Sequence, residues 1–504
     1  MSLDLEIRFF QKSDFLNFVR TRQSALHDVP NLYMKVNNNS SLPKRSRRIH
    51  FIGIGGSGMG GIAEVMQRIG YAVSGSDLHK NSMTRRLTDL GVKVQIGHTA
   101  EQVHGCDVVV ISSAVTEDNP EVQAARLRRI PVVPRAEMLG ELMRFRQGIA
   151  IAGTHGKTTT TSLIASLLAE GNLDPTFVIG GRLNSVGTHA SLGSGEYLVA
   201  EADESDASFL YLKPVMAVVT NIGADHIRTY HNDFNQLRQT FIDFLQQLPF
   251  YGLAILCIDD LVIKNVLPQL TKPKITYGLS SQADIRAVDI LQNQGQTHFK
   301  VLHDQSPWLE VTLNLPGEHN VRNALAAIAI AHEVGVSDAA IYRALSAFSG
   351  IGRRFQMQNI KIAAGEILHI DDYGHHPEEI AAVLQAIRDG WPERRIVVAF
   401  QPHRYTRTYD LFDEFVQILS TIEILLLLDI YPAGEKPIAE ATGEVLYQTL
   451  CAKKPVNLQF VARPEQLATQ LLPLLQDNDI LLTLGAGSIG AIAATLPKAL
   501  GDLL

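Results

Sequence analysis

The sequence contains little cysteine and no strong excess of charge of either sign. Its three cysteines, Cys106, Cys257 and Cys451, are odd in number and lie far apart among 504 residues. This pattern does not fit a disulfide scaffold, and it fits a reducing compartment. Lys and Arg number 45 against 52 Asp and Glu, a formal net charge of −7. No global positive field is available for wrapping nucleic acid, so any anionic ligand must be held by local sites.

Long apolar runs are also absent. The longest stretches, such as Ala324–Ala331 and Ile424–Leu428, are far shorter than the roughly 20 residues that cross a bilayer. Asp4, Glu6 and Arg8 stand where a secretory signal would be apolar. We therefore expect a cytoplasmic protein without membrane insertion and without a nucleic-acid partner.

The chain does have enough hydrophobic residues to build cores. Hydrophobic residues make up 46% and charged residues 19%, and this length predicts about three domains. Short apolar runs alternate with helical segments, which is typical of parallel sheets with crossover helices. The sequence predicts an α/β protein with a Rossmann-like domain over 49–146, a P-loop domain with a mostly parallel sheet over 147–351, and a Rossmann-like domain over 352–504. Residues 1–48 are expected to be a partly disordered extension.

A first glycine-rich turn follows the predicted strand Ile49–Ile54 and opens a helix. Glycine lets the backbone approach a pyrophosphate, and the helix N-terminus attracts its charge. An acidic residue stands about 20 positions further on, where dinucleotide folds bind a ribose hydroxyl. The turn alone does not distinguish NAD from another nucleotide diphosphate. The candidate residues are Gly53, Gly55, Gly56, Ser57, Gly58, Met59 and Asp77.

A second turn, with the sequence GTHGKTT, also lies between a strand and a helix. Backbone N–H groups of such a loop wrap phosphates, Lys157 reaches the β- and γ-phosphates, and the Thr158 hydroxyl binds Mg²⁺. The loop is two residues shorter than the common P-loop form. The candidate ATP-binding residues here are Gly153, Thr154, His155, Gly156, Lys157, Thr158 and Thr159.

An acidic run, Glu201–Asp206, lies at the end of the predicted strand Tyr197–Ala202. Carboxylates at the carboxyl edge of an α/β sheet are suited to hold Mg²⁺ against phosphates. Asp225 and His226 follow a neighbouring strand. Magnesium prefers oxygen, so His226 would be an unusual ligand.

Two polar segments follow strands of the last domain, DDYGHHP and QPHRYTRT. Arg404 and Arg407 lie three residues apart near a helix start and are suited to grip a carboxylate or a phosphate. By charge alone they fit a solvated surface equally well. His375 and His376 suit zinc, but no third ligand stands at metal spacing in the sequence.

These segments, in this order, resemble the Mur ligase family over residues 49–504. The resemblance is carried by IHFIGIGGSGMGGIAE, GTHGKTTT, EADESDASFL, EHNVRNALAA, GIGRRF, DDYGHHP, QPHRYTRT and GAGSIG. DDYGHHP together with HRYTRT is specific to the branch that adds L-alanine to UDP-N-acetylmuramate.

The resemblance implies an ATP- and Mg²⁺-dependent carbon–nitrogen ligase of peptidoglycan precursor synthesis. Its small-molecule substrates would be UDP-N-acetylmuramate, L-alanine and ATP. The first domain would bind the UDP substrate, the middle domain ATP, and the last domain the amino acid. The lactyl carboxylate would become an acyl phosphate, and the alanine amine would then attack it through a tetrahedral intermediate to give the amide, ADP and phosphate.

The resemblance also implies roles for individual residues. The residues expected to act in catalysis are Lys157, His226 and Arg404, and the expected metal ligands are Thr158, Glu201 and His226. The nucleotide contacts expected outside the P-loop are Asn320, Asn323, Arg353 and Asp372. The expected amino-acid site consists of Tyr373, His375, Arg404 and Arg407.

One departure and two alternatives remain at this point. Gly223 and Ala224 stand where the family usually has an acidic residue and a proline before Asp-His. The first alternative is the related ligase that adds a recycled tripeptide. The arginine pair favours a free small amino acid, because a peptide needs more room. The second is an NAD-dependent oxidoreductase, which leaves the P-loop and both later segments unexplained. The sequence does not decide between a monomer and a homodimer.

Overall fold

The computed structural model describes residues 47–112, 114–185, 188–225, 227–453 and 457–501. The expected extension, up to residue 46, and the expected metal ligand His226 lie outside the described residues. Residues Arg48–Leu504 form one compact unit that contains three β-sheets flanked by helices. The predicted α/β class with three domains is confirmed.

The first sheet consists of β1 (Arg48–Ile52), β2 (Ala72–Asp77), β3 (Lys93–Ile96), β4 (Val108–Ile111) and β5 (Val132–Pro134). Its helices are α1 (Ser57–Arg68), α2 (Ser82–Asp89), α3 (Pro120–Leu127) and α4 (Arg135–Met143). The strands are all parallel in the order β3-β2-β1-β4-β5. The order reverses between β1 and β4, where α/β sheets bind ligands outside the carboxyl ends of the strands. The first glycine-rich turn begins at that end of β1.

The middle sheet consists of β6 (Gln147–Ala152), β7 (Thr176–Leu183), β8 (Thr188–Ser191), β9 (Tyr197–Glu201), β10 (Met216–Val219), β11 (Leu253–Cys257), β12 (Lys274–Gly278), β13 (Ile285–Asn293), β14 (Gln296–His303) and β15 (Ser306–Leu313). Their order is β15-β14-β13-β12-β11-β10-β6-β9-β7-β8. The centre of the sheet is parallel, and β8, β14 and β15 are antiparallel to their neighbours. The sheet is therefore mostly parallel, as predicted.

Five helices accompany the middle sheet: α5 (Lys157–Glu170), α6 (Phe234–Gln246), α7 (Leu261–Val266), α8 (Glu318–Glu333) and α9 (Asp338–Ala347). Helices α5 and α8 are buried along most of their length, which suits helices without a strongly polar face. The first turns of each helix, or the loop before it, carry candidate nucleotide-binding residues, so the core fixes the positions of these residues.

The C-terminal sheet consists of β16 (Gln356–Ile362), β17 (Gly365–Asp372), β18 (Ile396–Phe400), β19 (Ile424–Leu428), β20 (Leu458–Val461) and β21 (Ile480–Leu484). Its helices are α10 (Pro377–Gly390), α11 (Tyr405–Asp410), α12 (Phe412–Leu419), α13 (Gly443–Lys453), α14 (Leu467–Leu471) and α15 (Ile489–Gly501). The order is β16-β17-β21-β18-β19-β20, parallel except for β16.

The buried apolar residues are divided unevenly among the domains. One cluster runs continuously through the first and middle domains, from Ile49 to Ile351. The C-terminal domain has separate clusters on the two faces of its own sheet. The first two domains therefore share a core, whereas the C-terminal domain meets the middle domain outside these clusters. Within the described residues, no helix is both long enough and apolar enough to cross a membrane.

Candidate active site

A cavity of about 450 Å³ lies between the middle and C-terminal domains. This volume is within the range of small-molecule sites. The middle domain contributes the loops after β6, β10 and β11 and the start of α8, and the C-terminal domain contributes the end of β17 and the start of α10. The cavity therefore lies at the carboxyl edge of the middle sheet, where the sequence places the P-loop.

The P-loop requires glycine at two positions. Gly153 has φ +129°, and a Cβ there would lie 2.1 Å from Thr220 Oγ1. Gly156 has φ +83°, and a Cβ there would lie 2.6 Å from Asn323 Oδ1. The Asn221 side chain accepts a hydrogen bond from His155 N at 2.8 Å and donates to His155 O at 3.0 Å. Contacts from the end of β10 and from α8 therefore hold the loop in this conformation.

Lys157 folds back over this loop and pairs with the acidic segment. Its Nζ donates to both Glu204 carboxylate oxygens, at 3.0 and 2.8 Å, and to Thr154 O at 3.0 Å. Burial opposes its charge, but the neighbouring Glu204 carboxylate raises the pKa of Lys157 above its ordinary value. Lys157 is therefore a cation at neutral pH, and a phosphate that binds it must compete with Glu204.

Oxygen donors converge around Lys157. Glu201 accepts a hydrogen bond from Gly180 N at 2.7 Å, and Thr158 begins the buried part of α5. Burial raises the pKa of Glu204, whereas Lys157 holds the pKa of Asp203 below its ordinary value against the effect of burial. Carboxylates and a hydroxyl beside the P-loop lysine fit Mg²⁺, which prefers oxygen ligands.

Both asparagines predicted from the sequence line the cavity at the start of α8. Asn320 donates to Pro316 O at 2.8 Å, and Asn323 donates to Asn320 Oδ1 at 3.2 Å. Three residues that the sequence analysis missed also line the cavity: Asp259, His319 and Arg322. Arg322 donates to Asp259 Oδ2 at 2.9 Å, and burial lowers the pKa of His319 to about 4, so His319 is neutral. The sequence signal that could have indicated this part of the site is the acidic pair that follows β11, Asp259 and Asp260.

The two arginines of GIGRRF point in different directions. Arg353 donates to Asp371 Oδ2 at 3.2 Å and also to Gly485 O, and it is absent from the described lining of the cavity. Arg354 and Asp372 do line it. The guanidinium carbons of Arg353 and Arg354 lie 5.3 and 5.0 Å from the centre of the Tyr373 ring. The nucleotide contact expected from Arg353 stays a prediction, and Arg354 is the better-placed arginine.

The residues expected to bind the amino acid lie together in the C-terminal domain. The rings of Tyr373 and His375 are 5.4 Å apart, and those of His375 and His403 are 5.7 Å apart. Arg407 Nη1 lies 3.3 Å from His403 Nδ1. Burial lowers the pKa of His375 to about 3, so this ring is neutral. Arg404 is half-exposed and lies 3.8 Å from a Glu435 oxygen.

Polar contacts join the C-terminal domain to the middle domain beside the cavity. His155 Nδ1 donates to Glu379 Oε1 at 3.1 Å, and His376 Nε2 lies 2.9 Å from Asp225 Oδ1. Arg228 pairs with Asp410. The P-loop residue His155 is thus in direct contact with α10, and its ring centre lies 5.1 Å from that of His376.

One histidine of the pair, His376, belongs to a group of side chains close enough to share a metal. Ligand atoms of His155, His376 and Glu378 lie within 4.8 Å of one another, because folding brings the P-loop to α10. His376 Nδ1, however, accepts the Glu378 N–H at 3.3 Å as a helix cap. Its Nε2 therefore carries the proton and lies at ion-pair distance from Asp225, so neither ring nitrogen has a lone pair free for a metal.

The first glycine-rich turn lies apart from this cavity. Gly55 N donates to Asp77 Oδ2 at 2.8 Å, and Asn81 Nδ2 donates to Gly55 O at 3.1 Å. Helix α1 begins with no side-chain cap, which leaves its N-terminal N–H groups for a ligand. Arg135, which the sequence analysis missed, comes within 3.1 Å of a Cβ placed on Gly58 and donates to Asp203 Oδ2 at 3.3 Å.

This fold, with a P-loop at the carboxyl edge of its middle sheet, defines a three-domain α/β enzyme. The sequence matches three family models: "Mur ligase family, catalytic domain" over residues 48–147, "Mur ligase middle domain" over 151–331 and "Mur ligase, glutamate ligase domain" over 353–487. The chain belongs to the Mur ligase family.

Named relatives agree with this assignment. The UDP-N-acetylmuramate–L-alanine ligase of Methylococcus capsulatus is 58% identical over 460 residues, which cover 91% of this chain and 98% of that protein. The crystal structure of the UDP-N-acetylmuramate–alanine ligase of Thermotoga maritima is 28% identical with a TM-score of 0.78, and the match covers 91% of this chain and all of that chain. The murein peptide ligase of Psychrobacter arcticus is 25% identical with a TM-score of 0.68 over the same shares.

Proposed function

We propose that this protein joins L-alanine to the lactyl carboxylate of UDP-N-acetylmuramate and converts ATP to ADP and phosphate. The observation that carries the proposal is the 58% identity to a UDP-N-acetylmuramate–L-alanine ligase over 98% of that relative's length. The match to the alanine ligase of known structure has a TM-score of 0.78, against 0.68 for the murein peptide ligase. We propose a cytoplasmic reaction, because its co-substrate ATP is supplied there.

The P-loop is the proposed ATP site. Lys157 is the cation nearest to the transferred phosphoryl group, and its exchange from Glu204 to a phosphate neutralises the charge that develops there. Thr158, Glu201 and His226 are the proposed residues for Mg²⁺, which when bound supplies charge neutralisation at the phosphates. Asn320, Asn323 and Asp372 are proposed to hold the nucleoside, because the first two are buried in the cavity wall and the third lines it.

The segments DDYGHHP and QPHRYTRT are the proposed alanine site. Arg407 is partly buried and Arg404 half-exposed, so the Arg407 guanidinium lies deeper in the site than that of Arg404. Two such groups fix a carboxylate and thereby aim the amine at the acyl carbon. Tyr373 and His375 form an adjoining wall of rings, which suits a small side chain better than a peptide.

The first glycine-rich turn is the proposed site for the UDP moiety. Uncapped N–H groups at the start of α1 are suited to the diphosphate. Arg135 adds a positive charge beside the turn and contacts Asp203 of the acidic segment. In this arrangement, the sugar nucleotide extends from the first domain toward the P-loop.

Phosphate release tests the proposal directly. Purified protein with ATP and Mg²⁺ should release phosphate only when both UDP-N-acetylmuramate and L-alanine are added. Replacing L-alanine with the peptidoglycan tripeptide should abolish most of the release, and a higher kcat/KM with the tripeptide would favour the recycling ligase instead. Release that does not need the sugar nucleotide would refute both assignments.

A further inference from the structure

Glu379 lies between the P-loop and the proposed alanine site, in contact with both. It is the third residue of α10, and its Oε2 accepts hydrogen bonds from His375 N at 2.9 Å and His376 N at 3.2 Å. Its Oε1 accepts the Nδ1 hydrogen of His155, 224 residues away in the sequence, at 3.1 Å. One carboxylate therefore joins two domains.

The first set of contacts shapes the alanine side. The two N–H groups that Glu379 accepts belong to the segment between Tyr373 and the helix. His375 Nδ1 donates to Tyr373 O at 3.0 Å and lies 3.5 Å from Glu379 Oε2. The ring proposed to face the amino acid is thus positioned on a backbone turn that Glu379 holds.

The second contact reaches the ATP side. His155 is the third residue of GTHGKTT, and Asn221 fixes its backbone from β10. The orientation of its ring is set from the other domain by Glu379. The glutamate is charged, because the hydrogen bond from His155 and the nearby Arg354 guanidinium outweigh the effect of burial and hold its pKa well below the ordinary value.

We propose that Glu379 is a positioning residue that couples the ATP-binding loop to the amino-acid site: one oxygen orders segment 373–376 and the other orders His155. The inference rests on the proposed function, because it assigns the two ligands that Glu379 couples. Through this coupling, a nucleotide bound at the P-loop favours the ordered form of the alanine site. By thermodynamic linkage, a bound amino acid favours the ordered form of the P-loop to the same extent.

Asp389, near the other end of α10, provides a matched control. Its side chain is exposed, it accepts a hydrogen bond from Gln385 of the same helix at 2.6 Å, and it is absent from the described lining of the cavity. Asp389→Asn removes the same charge from the same helix. It leaves both bonds of Glu379 in place.

The decisive variants are Glu379→Gln and His155→Gln, alone and combined. The glutamine carbonyl still accepts the backbone N–H groups, but its amide N–H₂ faces the Nδ1 hydrogen of His155 and cannot accept it. We expect each single variant to raise the KM for L-alanine and the KM for ATP about tenfold. The double variant should be no worse than either single variant, and Asp389→Asn should change each constant less than twofold.

The steady-state constants are measured with phosphate release, together with the thermal midpoint of each variant. Additive effects in the double variant would overturn the coupling, and so would equal effects of Asp389→Asn and Glu379→Gln. If Glu379→Gln does not fold, Glu379→Asp in the same cycle tests the same claim, since it keeps the charge and shortens the reach. Failure of the proposed function is separable, because the wild-type protein would then release no phosphate with UDP-N-acetylmuramate and L-alanine.

Discussion

The two glycine-rich turns look alike in sequence but are built differently in space. The first is closed from within its own domain, since Asp77 and Asn81 bind the backbone of Gly55. The second is held by β10 and α8, and its His155 also contacts Glu379 of the C-terminal domain. The first turn therefore suits a ligand held by one domain, and the second suits a ligand that several elements enclose.

Sterics separate the leading glycines of the two turns as well. A Cβ on Gly53 would find its nearest atom at 3.8 Å, whereas a Cβ on Gly153 would lie 2.1 Å from Thr220 Oγ1. Both glycines have positive φ, so a side chain strains either position. Of these two positions, only Gly153 also has no room for a side chain. The close fit of the P-loop against β10 explains the difference.

Lys157→Ala is expected to have the largest effect, and it tests whether the two turns bind different ligands. We expect turnover to fall about a thousandfold, because the cation at the transferred phosphoryl group is lost. Binding of UDP-N-acetylmuramate should be nearly unchanged, since the other turn holds it. Calorimetry with each ligand measures both effects, and equal loss of both ligands in a folded variant would contradict the two-site assignment.

Alanine substitutions in the turns sharpen the steric contrast. Gly153→Ala should lower the free energy of unfolding by about 3 kcal/mol or more, because strain and overlap add. Gly53→Ala should cost only about 1–2 kcal/mol, since strain acts alone. Chemical denaturation of both variants measures the difference. Equal losses of the free energy of unfolding in the two variants would show that the open space around Gly53 does not reduce the cost of a side chain there.

Conservative arginine variants extend the comparison to the third domain. Arg407→Lys and Arg404→Lys should each raise the KM for L-alanine about ten- to a hundredfold, as expected for a lost charge-assisted bond of about 1.5–3 kcal/mol. The KM for ATP should change far less. If the ATP constant rises and the alanine constant does not, the arginines hold nucleotide phosphates instead.

The smallest effect is expected for Asp77→Asn. The asparagine oxygen still accepts the Gly55 N–H, but the bond loses its charge, so the KM for UDP-N-acetylmuramate should rise about three- to tenfold. The KM for ATP should stay at the wild-type value. Steady-state kinetics with each substrate varied in turn check this, and a rise in the ATP constant alone would remove Asp77 from the first site.

Much of the architecture could be predicted because strands and turns are local in sequence. The alternation of short apolar runs predicts the parallel sheets, and the glycines mark the two turns at strand ends. The continuous core of the first two domains was not predictable in this way, because no short-range pattern reports which domains share buried surface.

The parts of the site that were missed depend on long-range contacts. Arg353 and Arg354 are adjacent, and only the backbone conformation decides that Arg354 lines the cavity. Glu379 reads as an ordinary acidic residue in the first turn of a helix until His155 is placed against it. Arg135 has no motif at all, and its position between the first turn and Asp203 comes from domain packing.

Simultaneous binding of the two nucleotides tests the central claim most directly. UDP-N-acetylmuramate is titrated by calorimetry into protein saturated with a non-hydrolysable ATP analogue and Mg²⁺, and into protein without the analogue. Two separate turns predict one molecule of the sugar nucleotide per chain in both titrations, with no loss of affinity in the presence of the analogue. Competition between the two ligands would contradict the account, because it would place both at one turn.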